Sequence, residues 1–138
     1  MRTLTLGTVF FLLSLGVASA HITTRVTFNM DTEFVVGNTT FPAGAYEMVP
    51  TDDPSVLEIR GAAKGAPAAM FEVEPLVSVT PFKQTELVFN KYAEHMVLKD
   101  IMIAGTTIGD STVTANTEKR HRKDHGAPTK VRRPAKSS

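Results

Sequence analysis

Apolar and polar residues alternate with a period of two through much of the chain between about residues 26 and 103. Val26, Phe28 and Met30 stand against Thr27 and Asn29, which sends one set of side chains to each face of a strand. "EFVVG" follows. Tyr46 and Met48 then alternate with Glu47, Leu57 and Ile59 with Glu58 and Arg60, and Phe71 and Val73 with Glu72 and Glu74. "TELVFNKY" and "HMVLKDIMI" are the longest runs, and Ala93-Glu94 between them predicts a hairpin. "STVTA" predicts a last weak strand. Turn residues recur at Gly37-Asn38, Pro42-Ala43-Gly44, Asp52-Asp53-Pro54, Gly61 to Pro67, Thr80-Pro81 and Gly109-Asp110. Breaks at roughly 8–12-residue intervals suit a small antiparallel sandwich or partly closed barrel. No window of helical length carries a period near 3.6. A parallel α/β fold would need crossover helices, and most runs are shorter than a membrane barrel requires.

The densest stretch is "FVVGNTTFPAGAYEMV", Phe34 to Val49. Gly37-Asn38 predicts a two-residue hairpin turn, because glycine takes positive φ without penalty. Phe41-Pro42-Ala43-Gly44 predicts a type I turn, with proline pre-setting φ at the second position and glycine suiting the fourth. Phe34, Val36, Phe41, Tyr46 and Met48 are then candidates to pack beneath it. Phe34, Val36, Gly37, Phe41, Pro42, Ala43, Gly44 and Tyr46, with Leu87, Val88, Phe89 and Tyr92 of the later "LVFNKY", give a pattern that resembles a group of small, uncharacterised exported bacterial proteins. The resemblance spans about His21 to Ile103. It implies one all-β domain behind a signal peptide, often closed by a charged tail. It implies no activity and no catalytic residue.

The first twenty residues read as a cleaved signal peptide. Arg2 precedes an apolar run from Leu4 to Val17, and Ala18-Ser19-Ala20 supplies the small residues of a cleavage site. The run is shorter than the ~18–20 residues that span a bilayer, so no membrane anchor is expected in the mature chain. Export to a periplasmic or extracellular location follows, with His21 as the new first residue. The chain has no cysteine, which argues against a lipoprotein and against a disulfide scaffold.

Charge divides the remainder. His21 to Glu118 holds six Lys and Arg against thirteen Asp and Glu, a balance of −7. Lys119 to Ser138 holds eight basic residues, Lys119, Arg120, Arg122, Lys123, Lys130, Arg132, Arg133 and Lys136, against Asp124 alone, a balance of +7. The overall +1 conceals this division. The tail has almost no large apolar residue, so residues 118–138 are expected to be disordered after a single β domain over 21–117. Such a tail either keeps the protein soluble, contacts an anionic envelope surface or polysaccharide, or folds back loosely on the acidic body. The export signal argues against nucleic acid as the partner.

Candidate chemistry is sparse. No nucleophile elbow, catalytic cysteine, phosphate loop or dinucleotide glycine signature is present, and the sequence implies no organic cofactor. The expected function is that of a non-enzymatic binding or envelope-associated module. His21 offers one alternative: an N-terminal amine and imidazole on one residue chelate copper, given a second histidine from His95, His121 or His125. His121 and His125 lie four apart, a metal-ligand spacing only if their segment is helical. Asp52-Asp53-Pro54 reads as turn chemistry, and the pairs Glu72/Glu74 and Asp31/Glu33 read as solvated strand faces.

Overall fold

The computed structural model describes residues 22–138; the expected signal peptide and His21 lie outside the described residues. The described residues are mostly β, with one short helix. The strands are β1 (Val26–Met30), β2 (Phe34–Val36), β3 (Thr39–Phe41), β4 (Gly44–Pro50), β5 (Val56–Gly61), β6 (Ala68–Val77), β7 (Glu86–Tyr92), β8 (His95–Met102) and β9 (Ile108–Thr112). The helix α1 (Asn116–His125) follows, then β10 (Thr129–Pro134) and β11 (Lys136–Ser137).

The strands pair in the order β10-β7-β8-β9-β6-β5-β4-β1-β11. These pairings are antiparallel, but β2 pairs with β8 in parallel at Val35 and Val97, so the sheet is mixed rather than purely antiparallel. β6 serves two partners. Residues 68–72 pair with β5 and residues 73–77 with β9. The two ends of the order, β10 and β11, are consecutive in the chain, with Ala135 between them.

The Phe34–Val49 stretch forms the expected strand, turn, short strand, corner and strand, without a hydrogen-bonded turn at Phe41–Gly44. Gly37, at φ +61°, and Asn38 turn β2 into β3, with Val36 opposite Thr39. Phe34, Val36, Phe41, Tyr46 and Met48 are all buried. Phe34 lies among four rings, with centroids at 5.0 Å (Tyr46), 5.5 Å (Phe41), 5.9 Å (Phe28) and 6.0 Å (Phe89). Most of these contacts are edge-on, the arrangement the ring quadrupole favours. The Tyr46 hydroxyl donates to the Pro42 carbonyl at 2.6 Å. That bond ties the Pro-Ala-Gly corner to the strand after it and explains the spacing of proline and tyrosine.

Two expectations are corrected. Gly109-Asp110 is not a turn but lies inside β9, which begins ahead of "STVTA". A Cβ at Gly109 would stand 2.3 Å from the Ile101 carbonyl oxygen, so this glycine permits close approach of two strands. Asp110 is buried there and accepts the Ile22 amide at 3.1 Å.

The larger correction concerns the tail. Where a disordered tail is expected over 118–138, the structure has most of α1, then β10 and β11, and the expected boundary at 117/118 falls inside α1. β10 pairs with β7 from Thr129–Lys91 to Pro134–Glu86, and β11 pairs with β1. An edge strand binds through backbone N–H and C=O groups, which need no apolar side chains. Val131 and Ala135, both partly buried, pack on the core. Arg132 pairs with Glu86, and Arg133 lies 3.9 Å from Asp31. Of the three fates considered for the tail, the structure corresponds to folding back on the acidic body, but as ordered strands.

Truncating Phe34 removes the centre of the aromatic cluster. Phe34→Ala should lower unfolding free energy by about 3–5 kcal/mol, whereas Tyr46→Phe, which loses one hydrogen bond, should cost about 1 kcal/mol. Urea unfolding followed by circular dichroism measures both, and equal effects would contradict this account of the corner.

Candidate metal centre

α1 reads NTEKRHRKDH, with a conventional set of end signals. Glu118 stands in the first turn, Arg122, Lys123 and His125 in the last, and Gly126 follows at φ +78°. What the sequence lacks is an apolar stripe, and for that reason periodicity does not reveal the helix. Its only buried residue is Glu118.

The helix lies against the outer side of β7, β8 and the β2–β3 turn, and three contacts place it. At its start, the Asn38 side-chain oxygen accepts from the Thr117 amide at 3.3 Å and from its hydroxyl at 2.9 Å. Ala115, at the capping position, makes no side-chain cap, so a residue from another element does that work. In the middle, one carboxylate oxygen of Glu118 accepts from Asn90 at 2.8 Å and from the Tyr92 hydroxyl at 2.9 Å. Beneath it, Tyr92 packs with Val35 and Val97 in a small cluster of its own. Towards its end, the His121 ring stacks on Tyr92 with centroids 6.1 Å apart.

That docking brings three histidines together. His121 and His125 are one turn apart on α1 and share a face. His95 opens β8, directly after the two-residue turn Ala93-Glu94. Ala93 holds φ +53° there, in the left-handed region that costs a non-glycine residue about 1–2 kcal/mol. The ring centroids are 4.3 Å apart for His95 and His121, 5.8 Å for His95 and His125, and 6.0 Å for His121 and His125. One ligand nitrogen from each lies within 4.8 Å of the others. Tetrahedral binding at the usual metal–nitrogen length needs separations of about 3.3 Å. His95 and His125 are exposed, so rotation of their rings can close that gap.

His121 is disposed towards its neutral form. Burial, followed by the charges of His95 and His125, lowers the His121 pKa below its ordinary value. The neutral imidazole, which carries the free lone pair, is therefore favoured. Burial also raises the Tyr92 phenol; Arg122 opposes that shift and Glu118 adds to it.

The residues singled out in the sequence are divided by the structure. His95, His121 and His125, named as partners for His21, come together as a group of their own. Three of the eight tail cations are engaged by the body: Arg122 reaches the Tyr92 hydroxyl at 3.4 Å, and Arg132 and Arg133 face Glu86 and Asp31. Lys119, Arg120, Lys123, Lys130 and Lys136 are exposed and form no salt bridge among the described residues. Asp53 is a turn residue, accepting from the Ser55 amide at 2.9 Å and hydroxyl at 2.7 Å. Those bonds lower its pKa. Glu72, Glu74, Asp31 and Glu33 face solvent. Sequence reasoning missed Glu118, Asn90 and the capping role of Asn38; Glu118 and Gly126 are helix end signals that could have revealed α1, but no sequence signal joins Asn90 or Asn38 to it. No protein-family model, curated protein or solved structure matches the chain.

Both tyrosines of the chain, Tyr46 and Tyr92, have pKa values raised by burial. A raised folded-state value means stability that is complete below the ordinary phenol range and is lost as pH rises through the folded value. Absorbance titration should show no exposed-type phenol ionising near pH ~10, and both should ionise together with loss of far-ultraviolet β signal.

Proposed function

We propose that the protein is an exported β domain that binds one divalent transition-metal ion through His95, His121 and His125. The observation that carries this is the convergence of three imidazoles from two separate elements, with ligand atoms within 4.8 Å of one another. An all-imidazole set suits zinc, copper or nickel and is poor for calcium or magnesium, which prefer oxygen. Three protein ligands leave a position open for water or an exogenous ligand. A partly closed barrel is the form of sheet we favour, because β10 and β11, at the two ends of the pairing order, are joined through Ala135.

Titration calorimetry of untagged protein tests the reading. One equivalent of zinc, copper or nickel should bind, and calcium and magnesium should not. His95→Ala, His121→Ala and His125→Ala should each weaken binding by more than the roughly 10–100-fold that loss of an outer-shell partner costs. Absence of binding, or unchanged affinity in His121→Ala, would overturn it.

A second reading concerns the five free cations on α1, β10 and β11. They support contact with an anionic envelope surface. Retention on vesicles containing anionic lipid should fall with added salt and in the combined variant Lys119→Gln, Arg120→Gln, Lys123→Gln. Retention indifferent to both would dispose of it.

A further inference from the structure

We infer that metal binding at the three histidines acts as a clasp that holds α1 docked on the sheet. This rests on the metal-binding reading and adds to it a consequence for the conformation of the chain.

Intrinsic helix stability cannot hold α1 in place. It has ten residues, below the roughly 12–15 at which isolated helices become even marginal in water. It also lacks an apolar face, so burial of hydrophobic surface contributes little. Its anchors are the Asn38 contacts at residue 117, the Glu118 carboxylate, the stacking of His121 on Tyr92 and the long Arg122 hydrogen bond to the Tyr92 hydroxyl. Beyond Glu118 the helix carries Lys119, Arg120, Arg122 and Lys123 in five consecutive positions, with Asp124 the only acid before its end. Like charges crowded on one short helix repel. Without a metal this end is the weakest part of the attachment.

A metal ion reverses the balance at that end. Its ligands come from the β7–β8 hairpin on one side and α1 on the other. Coordination therefore cross-links two elements and closes the loop that runs through β8 and β9, which restricts the undocked chain far more than the docked one. Only the docked state presents all three imidazoles together, so binding favours docking by mass action.

Limited trypsin digestion of the full chain tests the clasp, because α1 itself carries cleavage sites at Lys119, Arg120, Arg122 and Lys123. Lys64, exposed in the β5–β6 connection, is an internal control for any effect of metal on the protease. Zinc at about one hundred times its dissociation constant should slow cleavage within α1 by up to roughly a hundredfold relative to cleavage at Lys64. In His95→Ala, which leaves α1 unaltered, zinc should give no protection. Calorimetric binding of zinc with unchanged relative cleavage in α1 would overturn the clasp and leave the metal site standing. Absence of zinc binding would overturn both. Protection that persists in His95→Ala would overturn the clasp, since the cross-link to the hairpin would then not be its cause.

Discussion

A strand edge left bare presents a row of unpaired N–H and C=O groups, and few small β proteins leave one uncovered. Here the edges of β7 and β1 are both covered by one stretch of chain, residues 129–137. With no cysteine, the molecule has no disulfide to hold its ends together. The pairing of that final stretch does so instead, assisted by Val131 and Ala135 against the core and by the ion pairs of Arg132 and Arg133. The path from β9 to β10 must then cross the outside of the sheet, and α1 is the segment that makes the crossing. The histidine cluster exists because of that route.

The aromatic core and the helix are stabilised in different ways. Phe34 and its neighbours are held by burial and ring contacts, none of which involves charge. α1 is held by polar contacts on the far side of the same sheet. Glu118 is the clearest case: a fully buried carboxylate that satisfies Asn90 and Tyr92 with a single oxygen. Removing that acceptor would leave two buried donors unsatisfied, a larger cost than the bonds themselves contribute. The β2–β3 turn connects the two regions. Its glycine shapes the hairpin above Phe34, and its asparagine caps the helix.

The strands were legible because their side chains alternate, and the corner was legible because proline, glycine and tyrosine each have a mechanical reason to be there. β9 was hidden by Gly109, whose composition reads as a turn while its role is close approach to Ile101. The C-terminal strands were hidden because backbone pairing leaves almost no mark on the choice of side chain. The histidine site was half legible: the spacing of His121 and His125 was visible, but its meaning depended on a helix with no apolar periodicity. His95 could be joined to them only through the docking contact at Glu118, between residues far apart in sequence.

The last residue offers a consequence of another kind. The Ser138 amide donates to the Arg25 carbonyl at 3.0 Å, and the Arg25 amide donates to the Ser138 carbonyl at 3.3 Å. The two ends of the described chain thus lie side by side in one ladder. A short linker between them would make the backbone a ring, and the ring could be opened at the exposed Ala62–Pro67 connection without breaking a strand. The fold is in this sense indifferent to where the chain is cut, and circular permutants opened there keep every strand neighbour they have now.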